Sequence, residues 1–256
     1  MELQSTFSAQ QMTNLQSPKK LFMHDNIGFV ELLECFGSDL TVVNAARVSM
    51  HKESLFEPVQ EGGAVVGHKL SERDAQLIVY LAKHRHVTPF FHPQLRFRVK
   101  MPIYVVREWY RHTIGFARNE VSRRYVTEAP QCFVPAELRK RDKNIKQGSS
   151  KDLVDNNAAR VQDIKDFTDR ACAFYDQLLE QGVCPEQARG VLPQSMYTEF
   201  IETASLAAYA RLAVLRLDPT AQKEIRDYAG YISTLVQELF PVSWKALMDT
   251  GKGMLL

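Results

Sequence analysis

An α+β fold, with antiparallel strands beside long helices, is what the sequence predicts, and three patterns carry it. Leu95, Phe97 and Val99 alternate with Arg96, Arg98 and Lys100, the period of two that a strand with one apolar and one basic face requires. Two later stretches, about 158–179 and 221–239, repeat their apolar residues at helical spacing instead. Nowhere do strand and helix patterns alternate regularly, as a parallel sheet with crossover helices would demand. With 256 residues, 45% of them apolar, the chain has ample material for the core of one large domain.

Taken in order, residues 1–25 carry little periodic apolar pattern and read as a poorly ordered or exchanged arm, with a single domain over 26–256. Gly28 begins a strand-like apolar run, and Ser38-Asp39 then supplies an N-cap for a helix using Val42, Val43, Ala45 and Ala46. Residues 51–69, with Gly62-Gly63 and Gly67, read as a loop. Ser71-Glu72-Arg73-Asp74 opens the next helix in the manner of a capping box, and Ala75, Ile78, Val79, Leu81 and Ala82 continue it. Pro102 suits the first turn of a helix, where its missing N–H costs nothing. On that helix Arg107, Glu108, Arg111 and His112 stand three or four apart and are expected on one face. Residues 137–157 turn hydrophilic and read as a mobile surface insertion. Gly182 ends the helix that follows, and the alanines between 204 and 213 permit the close packing that a multi-subunit core would use.

Charge singles out one region. Between Arg85 and Tyr125 nine Lys or Arg face only two carboxylates, Glu108 and Glu120, whereas the whole chain carries +2. Arginine suits phosphate because its planar fork donates two parallel hydrogen bonds. The densest part, Arg107 to Tyr125, interleaves five arginines and His112 with Trp109, Tyr110 and Phe116. Cys35, Cys132, Cys172 and Cys184 form no C-x-x-C pair, so neither a zinc site nor a disulfide framework is expected, and the three histidines 84, 86 and 92 lack an accompanying carboxylate. No metal is expected. No run of 18 apolar residues is present and the start is polar, which predicts a cytoplasmic protein without a membrane anchor.

The order within this segment resembles the signature of the flavin-dependent thymidylate synthases. Arg111-His112-Thr113 stands where the family has Arg-His-Arg, and after eight residues Ser122 follows within Asn119-Glu120-Val121-Ser122-Arg123-Arg124-Tyr125. His86-Val87-Thr88-Pro89-Phe90-Phe91-His92 is similar to a second family stretch, with Phe91 in place of Glu. Ala188-Arg189-Gly190-Val191-Leu192-Pro193 and the Leu215-Arg216 end of the alanine-rich helix resemble two more, so the likeness spans about residues 28–245. Resemblance implies a homotetramer with sites at subunit junctions. It implies FAD as cofactor, NADPH and methylenetetrahydrofolate as co-substrates, and methylation of dUMP.

The residues carry over one by one. Glu108, Arg111, Glu120, Ser122, Arg123, Arg124, Arg189 and Arg216 are implied for dUMP, with Arg216 catalytic. Ser49, His86, Thr88, Arg111, His112, Thr113, Asn119, Glu120, Ser205 and Arg211 are implied for FAD. Departures from the family fall at Thr113, at Glu108 where it normally has Gln, at Phe91, and at Ser205, Ala207 and Arg211. Two rival readings stand beside this one: a nucleic-acid-binding protein using the basic strand and helix of 95–124, and an inactive member of the family.

Overall fold

The computed structural model describes residues 19–126, 128–142 and 149–251. Five strands form one antiparallel sheet: β1 (Lys19–Phe22), β2 (Phe29–Phe36), β5 (Gln94–Pro102), β7 (Tyr197–Ser205) and β6 (Phe116–Glu120), side by side in that order. A hairpin of β3 (Glu57–Glu61) and β4 (Ala64–Lys69) stands apart from it. The α+β architecture with antiparallel strands is therefore present.

Alternation in β5 sets the inside of the sheet. Leu95, Phe97, Val99 and Met101 are fully buried, and on the same side lie Val30 and Leu32 of β2 and Phe200 and Ala204 of β7. Helices α1 (Asp39–Arg47), α2 (Glu72–Lys83), α6 (Leu206–Arg216), α7 (Lys223–Leu239) and α8 (Pro241–Thr250) build the same core. Ser71 caps α2 by accepting from the Asp74 amide at 3.1 Å, and Ser205 caps α6 by accepting from the Ala208 amide at 3.2 Å. Asp39 reaches from α1 to the start of α8, where its carboxylate accepts from the amides of Val242 and Ser243 at 3.0 and 2.9 Å. A buried Arg47–Asp74 ion pair joins α1 to α2.

Several expectations need correction. Lys19–Phe22 pairs with β2 as an edge strand, so the ordered fold begins before residue 26, while residues 1–18 lie outside the described residues. The stretch read as a loop is the β3–β4 hairpin, turned by Gly62 and Gly63 at φ +58° and +84°. The ends of the 137–157 insertion are pinned together, with Lys140 donating its amide to Asp152 and Val154 to Leu138, and Arg139 meets Glu224 of α7 at 2.8 Å. Residues 143–148 of that insertion lie outside the described residues. The alanines 207, 208, 210 and 213 are all buried within their own chain, at 1% exposure or less, so their close packing serves the internal core. Helix α3 (Ile103–Trp109) ends early: Pro102 is its N-cap and Tyr110 its C-cap, which leaves Arg111 and His112 in the turn beyond.

That early end has a cause in the core. Glu202 of β7 points inward and is fully buried. The Trp109 indole donates to both its oxygens at 3.2 and 3.1 Å, and Arg118 of β6 donates Nε at 2.8 Å. Arg118 also donates Nη1 to the His112 carbonyl at 2.6 Å, so that carbonyl is held by the sheet and not by a continuing helix. The Arg118 guanidinium lies over Phe116 and Tyr110, at 4.4 and 5.0 Å from the ring centres. Removing one partner of a buried pair strands the other charge, a loss of about 3–5 kcal/mol. Glu202→Ala is accordingly expected to lower unfolding stability by that amount in urea titrations; a loss below about 1 kcal/mol, the scale of an exposed pair, would show that Arg118 finds water instead.

Candidate functional site

Two separate stretches of sequence meet at the end of α6. Arg216, its last residue, donates Nε to Nε2 of His112 at 2.8 Å across 104 positions of sequence. Its Nη1 forms an ion pair with the Glu108 carboxylate, and its Nη2 lies 3.4 Å from the Glu108 carbonyl. All three side chains are half-buried. Arg111 is exposed in the same turn and makes no hydrogen bond or ion pair among the described residues.

Electrostatics follow from this crowding. Burial, and then the positive charges of Arg216, Arg118, Arg211 and Arg111, push the His112 imidazole down to about 4. The ring is therefore neutral at pH 7, and only a neutral ring offers Nε2 as the acceptor that Arg216 uses. Burial also pulls Arg216 below the usual guanidinium range; Glu108 opposes that shift and Arg111 adds to it.

The motif continues along β6 and past it. Thr113, Gly115 at φ +81° and Asn119 are exposed, and Arg211 of α6 donates to the Ile114 carbonyl at 2.7 Å. Glu120 accepts from the Thr198 hydroxyl at 2.7 Å. Ser122 Oγ lies 3.4 Å from both the amide and Nε of Arg124, and Arg124 Nη1 reaches Glu186 at 3.4 Å. Glu186 belongs to the short helix α5 (Pro185–Ala188), and Arg189 follows directly, exposed. The Arg124–Glu186 contact thus joins the Ser122–Arg124 segment to the helix that Arg189 directly follows. Arg123 is turned otherwise, its guanidinium 5.5 Å above the Tyr175 ring of α4 (Asn157–Glu180).

The remaining flavin candidates divide. Ser49, His86 and Thr88 are exposed: Ser49 donates its hydroxyl to the Ala46 carbonyl at 3.0 Å, and the His86 ring stacks on Tyr80 at 6.1 Å. Ser205 is only 4% exposed, and its Oγ is already occupied as the α6 cap. A cleft of about 510 Å³ lies between α1 and His92, lined in part by Thr41, Asn44 and Val48 next to Ser49. A second cleft, of about 550 Å³ between α2 and α8, contains none of the residues expected from the sequence.

Three features escaped sequence reading. Glu202 and Arg118 hold the motif from below, although no pattern marks a Glu in an apolar strand as buried. Cys132 and Cys172, 40 positions apart, bring their sulfurs to 3.7 Å. Burial pushes the Cys132 thiol up to about 12, and the neighbouring Cys172 adds to the shift, so it is protonated at neutral pH. Two of the three cations on the basic face of β5 are also balanced in place: Arg96 meets Glu34 at 3.1 Å and Arg98 lies 3.7 Å from Glu199, while Lys100 donates to the neutral Gln131 amide at 2.6 Å. A strand whose two arginines are paired in this way offers a phosphate backbone less field than its sequence suggests. Among the described residues no group of three or more His, Cys, Asp or Glu is placed to hold a metal, and no helix is long and apolar enough to cross a membrane.

The depressed His112 has a consequence for pH. Its folded value lies below the ordinary 6.5, so the unfolded chain binds more protons between about 6.5 and 4. The stability this group contributes is present above 6.5 and is lost as pH falls through about 4. His112→Gln is expected to flatten the fall in unfolding free energy over that window; an unchanged slope would mean that His112 titrates normally.

Comparison with known proteins bears on this geometry. Residues 31–242 match the thymidylate synthase complementing protein family. A flavin-dependent thymidylate synthase of Thermus thermophilus is 39% identical over 222 residues, covering 87% of this chain and 76% of that one. Its counterpart in Thermosipho africanus is 37% identical, covering 90% and 95%. Among solved structures, a UMP/dUMP methylase, PolB, from Streptomyces cacaoi bound with 5-Br dUMP superposes with a TM-score of 0.72 at 31% identity, covering 87% of this chain and 95% of that one. On the match over residues 31–242, whose ends enclose both the His112 turn and Arg216, the chain belongs to the family of thymidylate synthase complementing proteins.

Proposed function

We propose that the protein is a flavin-dependent thymidylate synthase that methylates carbon 5 of dUMP to give dTMP. One observation carries the reading: the His112 turn and the end of α6, distant in sequence, meet in the Arg216–His112–Glu108 cluster. In this reading methylenetetrahydrofolate gives the carbon and FAD, reduced by NADPH, supplies the hydride.

The chemistry of the donor set fits a flavin. Arg111, Thr113 and Asn119 offer exposed donors, His112 a neutral ring, and Ile114, 69% exposed, an apolar surface beside them. Ser49, His86, Thr88, Glu120 and Arg211 complete the proposed flavin contacts, and Ser205 would contribute through the α6 cap. For dUMP, Ser122, Arg124 and Arg189 bind the phosphate, with Arg123 beside them. Arg111 and Glu120 orient the nucleotide toward the flavin. Arg216 answers the negative charge that grows on the uracil ring. A homotetramer with sites at subunit junctions belongs to the reading, supported by the exposed Phe167 and Phe174 on α4 and Ile114 and Tyr125 on the motif.

The test separates binding from chemistry. The purified protein is expected to be yellow, or to become so on adding FAD, and to form dTMP from dUMP, methylenetetrahydrofolate and NADPH. Arg216→Ala should retain flavin reduction by NADPH while dTMP formation falls about a hundred- to a thousand-fold, as for loss of one oxyanion donor. A wild-type protein that takes up flavin without making dTMP would favour the inactive-member reading, and one that takes up none would sink the flavin assignment. Arg189→Ala should weaken dUMP binding by about 1.5–3 kcal/mol in calorimetric titration, the worth of a charge-assisted bond; unchanged affinity would place the phosphate elsewhere.

A further inference from the structure

We infer that Glu108 is a positioning residue, which together with His112 fixes the guanidinium of Arg216 and leaves Nη2 as the nitrogen least engaged within the protein. The inference rests on the reading of Arg216 given above and adds the group that aims it.

A guanidinium is a rigid plane, so holding two of its nitrogens determines where the third points. Here Nε is held at 2.8 Å by His112 and Nη1 by the Glu108 carboxylate. Among the described residues only the Glu108 carbonyl approaches Nη2, and at 3.4 Å that contact is longer than a well-formed hydrogen bond. Nη2 is therefore the least engaged of the three nitrogens. Glu108 stands at the end of α3, whose next residue, Trp109, is locked onto the buried Glu202, so the carboxylate is presented from a rigid element.

Charge points the same way. Arg111 and Arg216 are like charges in one small turn, and Arg111 disfavours the charged form of Arg216 while Glu108 favours it. The carboxylate thus offsets part of what burial and Arg111 cost the Arg216 cation. An ionised carboxylate accepts hydrogen bonds and donates none, so it cannot give one to a uracil carbonyl as an amide at this position could. Its work is done through Arg216.

Two variants separate the possibilities. Glu108→Gln keeps an acceptor for Nη1 and removes the charge, whereas Glu108→Ala removes both. For Glu108→Ala, dTMP turnover is expected to fall about 10–100-fold, the scale of a catalytic group misplaced by an ångström, with flavin content and KM for dUMP little changed. Glu108→Gln should restore most of that loss. In an Arg216→Ala background, Glu108→Ala should have almost no further effect on turnover, since a group acting through Arg216 cannot act without it. The same double-mutant cycle, read in urea unfolding, should show coupling between the two residues independently of activity.

Three results would overturn the inference: a change confined to KM, which makes Glu108 a direct nucleotide contact; Glu108→Gln as poor as Glu108→Ala, which makes its charge or proton the essential feature; or additive losses in the cycle. A wild-type protein that bound no flavin and made no dTMP would instead count against the proposed function, and the unfolding cycle would still report whether Glu108 and Arg216 are coupled.

Discussion

A carboxylate buried in the core, Glu202, is the constraint on which the arrangement above it depends. Its position in β7 follows from alternation, since Phe200, Glu202 and Ala204 share the inward face. Burial pushes the carboxyl up, and Arg118 and the Trp109 indole pull it back. Satisfying it recruits one residue from α3 and one from β6, and these two elements carry the start and the middle of the motif. A buried ion pair of this kind adds little net stability compared with an apolar substitute of the same shape. What it supplies here is geometry: Arg118 passes from Glu202 to the His112 carbonyl, and the His112 ring meets Arg216.

The cationic excess of the segment therefore divides by role. Arg118 serves the core, Arg96 and Arg98 are balanced by glutamates on the neighbouring strands, and Arg123 lies over Tyr175. Arg111 and Arg189 make no ion pair among the described residues. Composition counts all of these alike, although their exposure and partners differ. A net excess of arginine marks where an anion can bind, and only the spent partners show which arginines remain for it.

Legibility in the sequence followed how local each cause was. The basic and apolar faces of β5, the caps Ser38 and Ser71, and the Gly182 end of α4 were readable because neighbours two to four residues apart create them. Helix α4 itself matched closely, from Asn157 to Glu180. The β3–β4 hairpin was missed because its residues are mostly exposed, so burial imposes no alternation on Val59, Val65 and Val66. Helix α8 went unread even with Pro241 at its start, because the group that caps it is Asp39, some 200 positions away. In the site, residue types were legible through the motif. The early end of α3 and the turning of Arg123 toward α4 arise from tertiary partners that no local window contains.

Function and folding are consequently coupled in an uneven way. The phosphate side of the proposed site, Ser122, Arg124 and Arg189, stands on turns and short elements with exposed contacts at 3.4 Å. Such contacts are weak in the free protein and leave the arginines able to exchange Glu186 for a ligand. The uracil side is the reverse: Arg216 ends a helix whose inner residues are fully buried, and His112 is tied through Arg118 to the core. In the proposed reading rigidity falls where a transition state needs a fixed donor, because preorganised charge stabilises it without reorganisation. In the same reading adaptability falls where a phosphate would only have to be caught. The same arginine-rich stretch supports both because Glu202 anchors one end of it and leaves the other to the surface.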